Sequence, residues 1–149
     1  MTPVQALLQE LQDTWHQTIP VSEFMQICPR RYASDCFEAS APLPPNLNLH
    51  QTMFAGSIYT LMTLTGWGMM WLKQREAGVE GHIVLADAQI RYLAPVTGTP
   101  LARVQWQDGD LSALAEGRRV KLSLTVELFS SGTLCATFTG LYASLPAHT

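Results

Sequence analysis

Two polar residues precede a long apolar segment, and two small residues lie near its start, in an order that could support chemistry on a carbonyl compound. Asn48 and His50 come first, and Ala55 and Gly56 follow where the apolar segment begins. If that segment is a helix, Ala55 and Gly56 place free N–H groups at its positive end, where an oxyanion is stabilised. Small side chains there also let a carbonyl group approach the backbone. The alternative is that both residues simply pack the start of the helix.

Three residues could supply the polar side chains that such a reaction needs. Asn48 could position water or the carbonyl group through its amide, although asparagine is also an ordinary turn residue. Histidine titrates near neutral pH, so His50 suits a general base, and its alternative is a loop histidine facing solvent. Asp87 could serve as the base if it were buried at a subunit boundary, and otherwise it makes structural hydrogen bonds. The residues alone leave the base unassigned.

The apolar segment is the strongest structural signal in the chain. No Asp, Glu, Lys or Arg occurs between Glu38 and Lys73, a stretch of thirty-four residues. Residues 53–72 carry apolar side chains on every side of a 3.6-residue period, so a helix there must be enclosed by protein or lipid. Its length could cross a bilayer. However, the half-apolar strands elsewhere would lack a core without it, so we expect burial in protein and no membrane partner.

Two glycines within this predicted helix need a reason. Gly66 and Gly68 each cost about 1 kcal/mol relative to Ala in a helix interior. Close passage of a backbone or a sheet along that face would explain them, and the alternative is a helix that tolerates both. The helix should begin near Met53 and end near Ala77, where Gly78 can adopt the left-handed cap.

Composition limits the classes of protein to consider. A chain of 149 residues suits one domain, covering 1–149. Hydrophobic residues make up 47% and charged residues only 14%, which predicts a surface covered by another subunit. The net charge of −3 provides no basic stripe for phosphates, so we expect no nucleic-acid partner.

The cysteines and histidines indicate no metal and no disulfide. The three cysteines lack a C-x-x-C spacing, and the first residues lack a signal-peptide pattern, so we expect a cytoplasmic protein. Small buried cysteines are commoner than catalytic ones. The four histidines show no metal-ligand spacing with each other or with the cysteines, and we predict no metal site.

The segments flanking the long helix change period along the chain. Thr2 and Pro3 start a helix that Ile19 and Pro20 end. Residues 21–41 read as one or two strands, and the proline-rich residues 41–50 should run extended. After Gly81 the period changes to two, and strands are predicted at residues 83–94, 101–107, 119–129 and 133–143. The order predicts an α+β fold in which an antiparallel sheet curls around one helix.

This order resembles the hotdog fold, in which a curved antiparallel sheet wraps a central helix and two protomers pair edge to edge. Two segments, NLHQTMFAGS at residues 48–57 and DAQIRYLAP at residues 87–95, are similar to motifs of hotdog acyl-CoA thioesterases. Those enzymes commonly show Asn, five residues and His-Gly-Gly at the helix entrance, and later Asp, four residues and Tyr-Leu-x-Pro. The sequence TMFAGS at residues 52–57 most resembles that of the bacterial thioesterase domain of YiiD C-terminal type. That domain follows an acetyltransferase domain, which is not found here, so we expect a free-standing copy.

The chain departs from the family pattern at three positions. The motif histidine falls on Phe54 and the first glycine on Ala55. An aspartate commonly found nine residues after that histidine, as base or nucleophile, falls on Thr63, which cannot act as a base at neutral pH. Thr63 could instead line the pocket through its hydroxyl, or bond to the preceding helical turn. Asn48 keeps its expected spacing, so the resemblance implies an oxyanion site at Ala55 and Gly56 with no assigned base.

The resemblance implies a substrate with a phosphate-bearing carrier and no separate cofactor. Coenzyme A would need cations for its phosphates, and the densest positive cluster consists of Arg118, Arg119 and Lys121, with Arg91 as a second possibility. Solvated strand ends are also commonly charged, which is the alternative for all four. An apolar slot for the acyl group could come from residues that otherwise form core: Met53, Phe54, Met62, Trp67, Met69 and Trp71.

The sequence therefore predicts a single hotdog thioesterase-like domain that assembles as a dimer or a dimer of dimers. It would hydrolyse acyl thioesters of coenzyme A or of a carrier protein, between the helix entrance and a neighbouring subunit. The missing histidine and acid leave a second possibility, an acyl-binding or interaction module without turnover. A hydratase or dehydratase would need a paired histidine and carboxylate, which we cannot place.

Overall fold

The computed structural model describes residues 1–147 as two N-terminal helices, a six-stranded sheet and one long central helix. The helices are α1 (Pro3–Thr18), α2 (Pro20–Phe24), α3 (Ala55–Ala77) and α4 (Ser112–Ala115), with a 3-10 turn at Pro44–Asn46. The strands are β1 (Cys28–Ala33), β2 (Cys36–Ser40), β3 (Gly81–Tyr92), β4 (Pro100–Gln105), β5 (Val120–Ser130) and β6 (Thr133–Pro146).

The sheet is antiparallel throughout, with the order β1-β2-β4-β5-β6-β3, and it wraps α3. Helix α3 contacts every strand from β2 to β6 and is also touched by α1. Trp67 near its middle donates a hydrogen bond from Nε1 to the carbonyl of Ile83, at 3.0 Å, which ties the helix to β3. The predicted hotdog architecture, with a buried central helix and an extra N-terminal helix, is confirmed.

The two glycines of α3 are explained by close packing. A Cβ on Gly66 would lie 2.3 Å from the hydroxyl oxygen of Tyr142 on β6. A Cβ on Gly68 would lie 2.8 Å from the ring of Phe37 on β2 and 2.9 Å from Trp15 on α1. Side chains of the sheet and of α1, rather than a backbone, therefore make the close approach. At the other end, Gly78 has φ of 68° and caps the helix as predicted.

Three local predictions were wrong. Residues 20–24 form helix α2 instead of a strand, because proline is favoured in the first turn of a helix and Pro20 begins one there. Residues 44–46 form a 3-10 turn instead of an extended segment, with the N–H of Asn46 bonded to the carbonyl of Leu43. The central helix begins at Ala55, two residues later than expected.

The fourth difference concerns β3, whose apolar face is not continuous. A register shift between Leu85 and Asp87 inserts a β-bulge, which turns the strand and reverses which side chains face α3. Val84 is consequently 45% exposed, although strict alternation along residues 83–94 predicts one apolar face that carries Val84, Ala86, Ala88 and Ile90. Strand β3 is also an edge of the sheet, so its outer backbone groups are not paired within the described chain, residues 1–147.

Replacement of Gly66 by alanine distinguishes close packing from simple tolerance of glycine. Helix propensity alone predicts that Gly66→Ala stabilises the protein by about 1 kcal/mol. Overlap with Tyr142 instead predicts a loss of about 1–3 kcal/mol in the free energy of unfolding, measured by urea denaturation. Ala77→Gly, at an exposed position in the last turn of α3, serves as the control for propensity. A Gly66→Ala variant more stable than the parent would contradict the packing account.

Candidate active site

The N-terminal end of α3, residues 54–56, is called the entrance of the helix, and two of its backbone N–H groups have no partner within residues 1–147. Phe54 is the extended residue before the helix; its N–H donates to the carbonyl of Asn46 at 2.7 Å, and no side chain caps the helix. The N–H groups of Ser57 and Ile58 donate to the carbonyl of Phe54. Within residues 1–147, the N–H groups of Ala55 and Gly56 have no acceptor. Both residues are exposed, so these amides can reach a ligand.

A cleft of about 360 Å³ lies beside this entrance. The two sequence segments singled out above meet there, because the N–H of Met53 donates to the carbonyl of Val96 at 3.0 Å. The hydroxyl of Tyr92 also donates to the carbonyl of Ala55, at 3.1 Å. The cleft is lined by the loop before α3, its first turns and the end of β3: Asn48, Thr52, Met53, Ala55, Ile58, Tyr92, Leu93, Ala94, Pro95 and Val96.

Asn48 lines the cleft, but most of the hydrogen bonds of its side chain are made within its own loop. Its Oδ1 accepts the N–H of His50 at 2.8 Å and both the N–H and the hydroxyl of Thr52 at 3.2 Å. Its Nδ2 lies 3.0 Å from the hydroxyl of Thr52. This arrangement is an Asx turn that fixes the path of the loop into α3. One Nδ2 proton remains for a ligand, because an amide nitrogen carries two.

The two candidate bases do not line the cleft. His50 is exposed in the loop, where its own N–H is held by Asn48. Asp87 is exposed on β3, beside the bulge and paired with Leu141. Within residues 1–147, no lining residue of this cleft carries an ionisable group other than the phenol of Tyr92. One protomer therefore brings together the two amides and Asn48, but not His50 or Asp87.

Thr63 lies deeper along the same helix, about 12 Å beyond the entrance at the rise of an α-helix. Its carbonyl accepts the hydroxyl of Tyr142 at 2.7 Å. The hydroxyl of Thr63 itself is buried and has no hydrogen-bond partner within residues 1–147. A buried polar group without a partner is unfavourable, and Thr63 is not among the residues that line the cleft.

Phe54 replaces the motif histidine and covers one side of the entrance. Its ring is 54% exposed, and a Cβ on Gly56 would lie 2.5 Å from it. The absence of a side chain at Gly56 therefore lets the ring fold over the first turn of α3. Of the other predicted acyl-slot residues, Met53 lines the cleft, whereas Met62 and Met69 are fully buried core.

The predicted phosphate contacts lie away from the entrance within one protomer. The entrance is beside Tyr92, which pairs with Ala136 at one end of β6. Arg118, Arg119 and Lys121 lie around the start of β5. Val120, which stands among them, pairs with Ser144 at the opposite end of β6. Arg118 also forms an ion pair with Glu116. Arg91 is exposed and pairs with Thr137, at the same end of the sheet as the entrance.

Two residues that position the entrance were missed by the sequence analysis. Asn46 is 1% exposed, and its Nδ2 donates to the carbonyls of Met25 and Pro42 at 3.0 and 2.8 Å. Its own carbonyl holds Phe54, as described above. The only signal for Asn46 was its place in an uncharged, proline-rich stretch, two residues before Asn48. Tyr92 was quoted only as part of a motif, and nothing in the sequence indicated that its hydroxyl reaches Ala55.

Residues 1–147 contain neither a metal-binding cluster nor a helix that could span a membrane. No group of three or more His, Cys, Asp or Glu side chains there is arranged to hold a metal ion. No helix in that range combines the length and hydrophobicity that a bilayer crossing requires. Cys28, Cys36 and Cys135 are all free thiols.

Comparison with known proteins supports the architecture. The family described as "Putative thioesterase (yiiD_Cterm)" matches residues 8–146. The crystal structure of the putative thioesterase from Shewanella oneidensis is 60% identical, with a TM-score of 0.94 over 95% of this chain and 99% of that one. A protein of unknown function from Chlorobaculum tepidum TLS is 28% identical, with a TM-score of 0.85 over 98% of both chains. A mutant thioesterase from Pseudomonas aeruginosa shares the fold at 12% identity, with a TM-score of 0.78 over 94% of both chains.

Removal of the Asn48 amide should loosen the loop before α3. Asn48→Ala deletes an acceptor used by His50 and Thr52, so we expect a loss of about 1 kcal/mol in the free energy of unfolding. The amide proton of Thr52 should also exchange faster with deuterium, as followed by NMR. Asn48→Asp keeps the acceptor oxygen and should keep the protection. Unchanged exchange in the alanine variant would show that the Asx turn does not hold the loop.

Proposed function

Because this chain belongs to the YiiD C-terminal thioesterase family, we propose that it hydrolyses acyl thioesters of coenzyme A or of an acyl-carrier protein. The observation that carries the proposal is the pair of unpartnered N–H groups of Ala55, which lines the cleft, and of the adjacent Gly56. Coenzyme A belongs to the substrate in this scheme, and no separate cofactor takes part.

The reaction is the addition of water to the thioester carbonyl followed by loss of the thiolate. The carbonyl oxygen becomes an oxyanion that accepts hydrogen bonds from the N–H groups of Ala55 and Gly56, aided by the dipole of α3. The carbon–sulfur bond then breaks, and the proton taken from water by the base passes to the thiolate. Asn48 would orient the thioester or the water through its remaining Nδ2 proton. The products are a carboxylic acid and a free thiol.

The base must come from outside the cleft of a single protomer. His50 and Asp87 are the two candidates, and neither lines the cleft described above. A second protomer paired along the β3 edge runs antiparallel to the first, because a two-fold axis relates the same strand in both. Asp87 lies near the middle of that edge, so pairing would bury it close to the second chain. Thr63 would contribute its unpartnered hydroxyl to the wall of the site.

The outer edge of β3 supports this assembly. Exposed apolar side chains lie near both of its ends: Val84, 45% exposed, near the Gly81 end, and Leu93, 54% exposed, beside the cleft. Unpaired edges are normally protected, and pairing with a second copy would protect this one. In an antiparallel pair, the Gly81 end of one β3 lies beside the Tyr92 end of the other. We propose a dimer of this kind, alone or within a dimer of dimers.

This assembly also gives the cations a role. Arg118, Arg119 and Lys121 lie at the Gly81 end of the sheet, so those of a second copy would approach the entrance of the first. They would then bind the phosphates of coenzyme A, with Arg91 as the cation nearest the entrance in the same protomer. We further propose a single domain over 1–149 and a cytoplasmic enzyme, consistent with its three free cysteines.

One observation favours a second candidate function. The cleft of one protomer has no carboxylate or imidazole among its lining residues, within the part of the chain described. A module that binds an acyl group without turnover needs neither group. The two candidates separate in an assay of free thiol release across acyl-CoAs of increasing chain length. Release identifies the hydrolase, and saturable binding without release at every length identifies the module.

Replacement of Ala55 by proline removes one proposed oxyanion donor without disturbing the helix. Proline is favoured at the first position of a helix, and Phe54 already has the extended conformation that precedes proline, with φ of −62° and ψ of 134°. We expect kcat to fall by about 10²–10³ while stability is kept, as for loss of an oxyanion donor elsewhere. Ala55→Ser retains the N–H and should keep kcat within a few fold. Equal kcat values for the proline variant and the parent would remove Ala55 from the site.

A charge on the β3 edge should separate the protomers. Val84→Lys introduces a lysine, a residue that blocks pairing of edge strands. We expect the variant to elute as a monomer in size-exclusion chromatography with light scattering, and to lose thiol release. Ala115→Lys, on the exposed side of α4, is the control and should leave the assembly intact. A Val84→Lys protein that remains dimeric would place the interface elsewhere.

A further inference from the structure

The last residue of the β3 edge strand touches the peptide group that carries one of the proposed oxyanion donors. The hydroxyl of Tyr92 donates to the carbonyl oxygen of Ala55 at 3.1 Å. That carbonyl and the N–H of Gly56 belong to the same peptide group. Because a peptide group is planar and conjugated, a contact at its oxygen also acts on its N–H. Tyr92 therefore contacts, at its carbonyl oxygen, the same peptide group that carries the N–H of Gly56.

Two physical effects follow from this contact. A hydrogen bond accepted by a carbonyl polarises its peptide group, so the N–H at the other end becomes a stronger donor. The contact also fixes the plane of the peptide, which determines where the N–H of Gly56 points. Both effects favour an oxyanion over a neutral carbonyl, because the stronger donor gains more as charge develops.

Tyr92 is suited to donate rather than accept in this position. Burial raises the pKa of Tyr92 above its ordinary value, and the nearby Tyr59 raises it further. The phenol therefore keeps its proton throughout the neutral range. Tyr92 is also half exposed at the mouth of the cleft. The hydroxyl of Thr60 donates to the carbonyl of Gly56 at 2.9 Å, but that carbonyl belongs to the next peptide group and not to the one that carries the Gly56 N–H.

We propose that Tyr92 is a positioning residue that orients and polarises the Gly56 amide through the carbonyl of Ala55. It does not touch the substrate in this role, and it acts only through the backbone of the first turn of α3. The inference rests on the proposed hydrolysis, because it gives the edge strand a direct link to the oxyanion site. It also explains why the end of β3 and the entrance of α3 must lie together.

The kinetic test is Tyr92→Phe, which keeps the ring and removes the donor. We expect kcat to fall about threefold to tenfold with KM nearly unchanged, since only the charged transition state uses the stronger amide. Tyr32→Phe is the matched control, because it removes a phenol hydroxyl that donates to Glu76, at the opposite end of α3 from the proposed oxyanion donors. Equal kcat values for Tyr92→Phe and the parent, in an enzyme that turns over, would overturn the proposal.

A second readout does not depend on turnover. The amide proton of Gly56 in a ¹H–¹⁵N spectrum should move upfield in Tyr92→Phe, because its peptide group loses polarisation, while the amides of Gly66 and Gly68 stay in place. An unmoved Gly56 resonance would overturn the proposal. Parent protein that releases no thiol from any thioester, with the Gly56 resonance still displaced in the variant, would contradict the proposed hydrolysis and support the action of Tyr92 on the amide.

Discussion

Enclosure of α3 is the constraint on which the rest of the structure depends. The helix carries apolar side chains on all sides, and its middle turns are buried against β2 to β6 and α1. Gly66 and Gly68 let Tyr142, Phe37 and Trp15 come close enough to close the core. A helix enclosed in this way can meet a ligand only at its ends. The first turn, where the sheet stops at Tyr92, is the end with unpartnered N–H groups.

The entrance is built mainly from backbone, which explains how it can persist when motif side chains change. Asn46 holds the N–H of Phe54, and Asn48 fixes the loop before it. Neither contact requires the histidine that related enzymes carry at position 54. The donors proposed for catalysis are the backbone N–H groups of Ala55 and Gly56. They require only that the side chains at these two positions be small enough to let a carbonyl group approach. Absence of the motif histidine and aspartate therefore leaves the two proposed oxyanion donors in place, and the general base is the group still to be assigned.

Most of the architecture could be predicted from the sequence, because hydrophobic period is set by local geometry. The change of period after Gly81 and the capping glycine Gly78 located the long helix and the strands that follow it. The bulge in β3 could not be predicted, because alternation in the sequence does not show where an extra residue is inserted. Helix α2 was missed for a similar reason: Pro20 both ends one helix and begins another.

The site was predictable only where it depends on local backbone. The free amides follow from the start of α3, and Asn48 follows from its spacing to that start. The contact between Tyr92 and Ala55 joins residues thirty-seven positions apart, and only the folded sheet brings them together. The base could not be identified, because one protomer places neither His50 nor Asp87 in the cleft. In the proposed dimer, a second chain would complete the site.

The most direct test of the central claim is a crystal structure with a trifluoromethyl ketone analogue of acyl-CoA, whose hydrate mimics the tetrahedral intermediate. The account predicts one oxygen of the hydrate about 2.7–3.1 Å from the backbone nitrogens of both Ala55 and Gly56. An analogue bound with its tetrahedral carbon away from the first turn of α3, or held there by side chains alone, would contradict it.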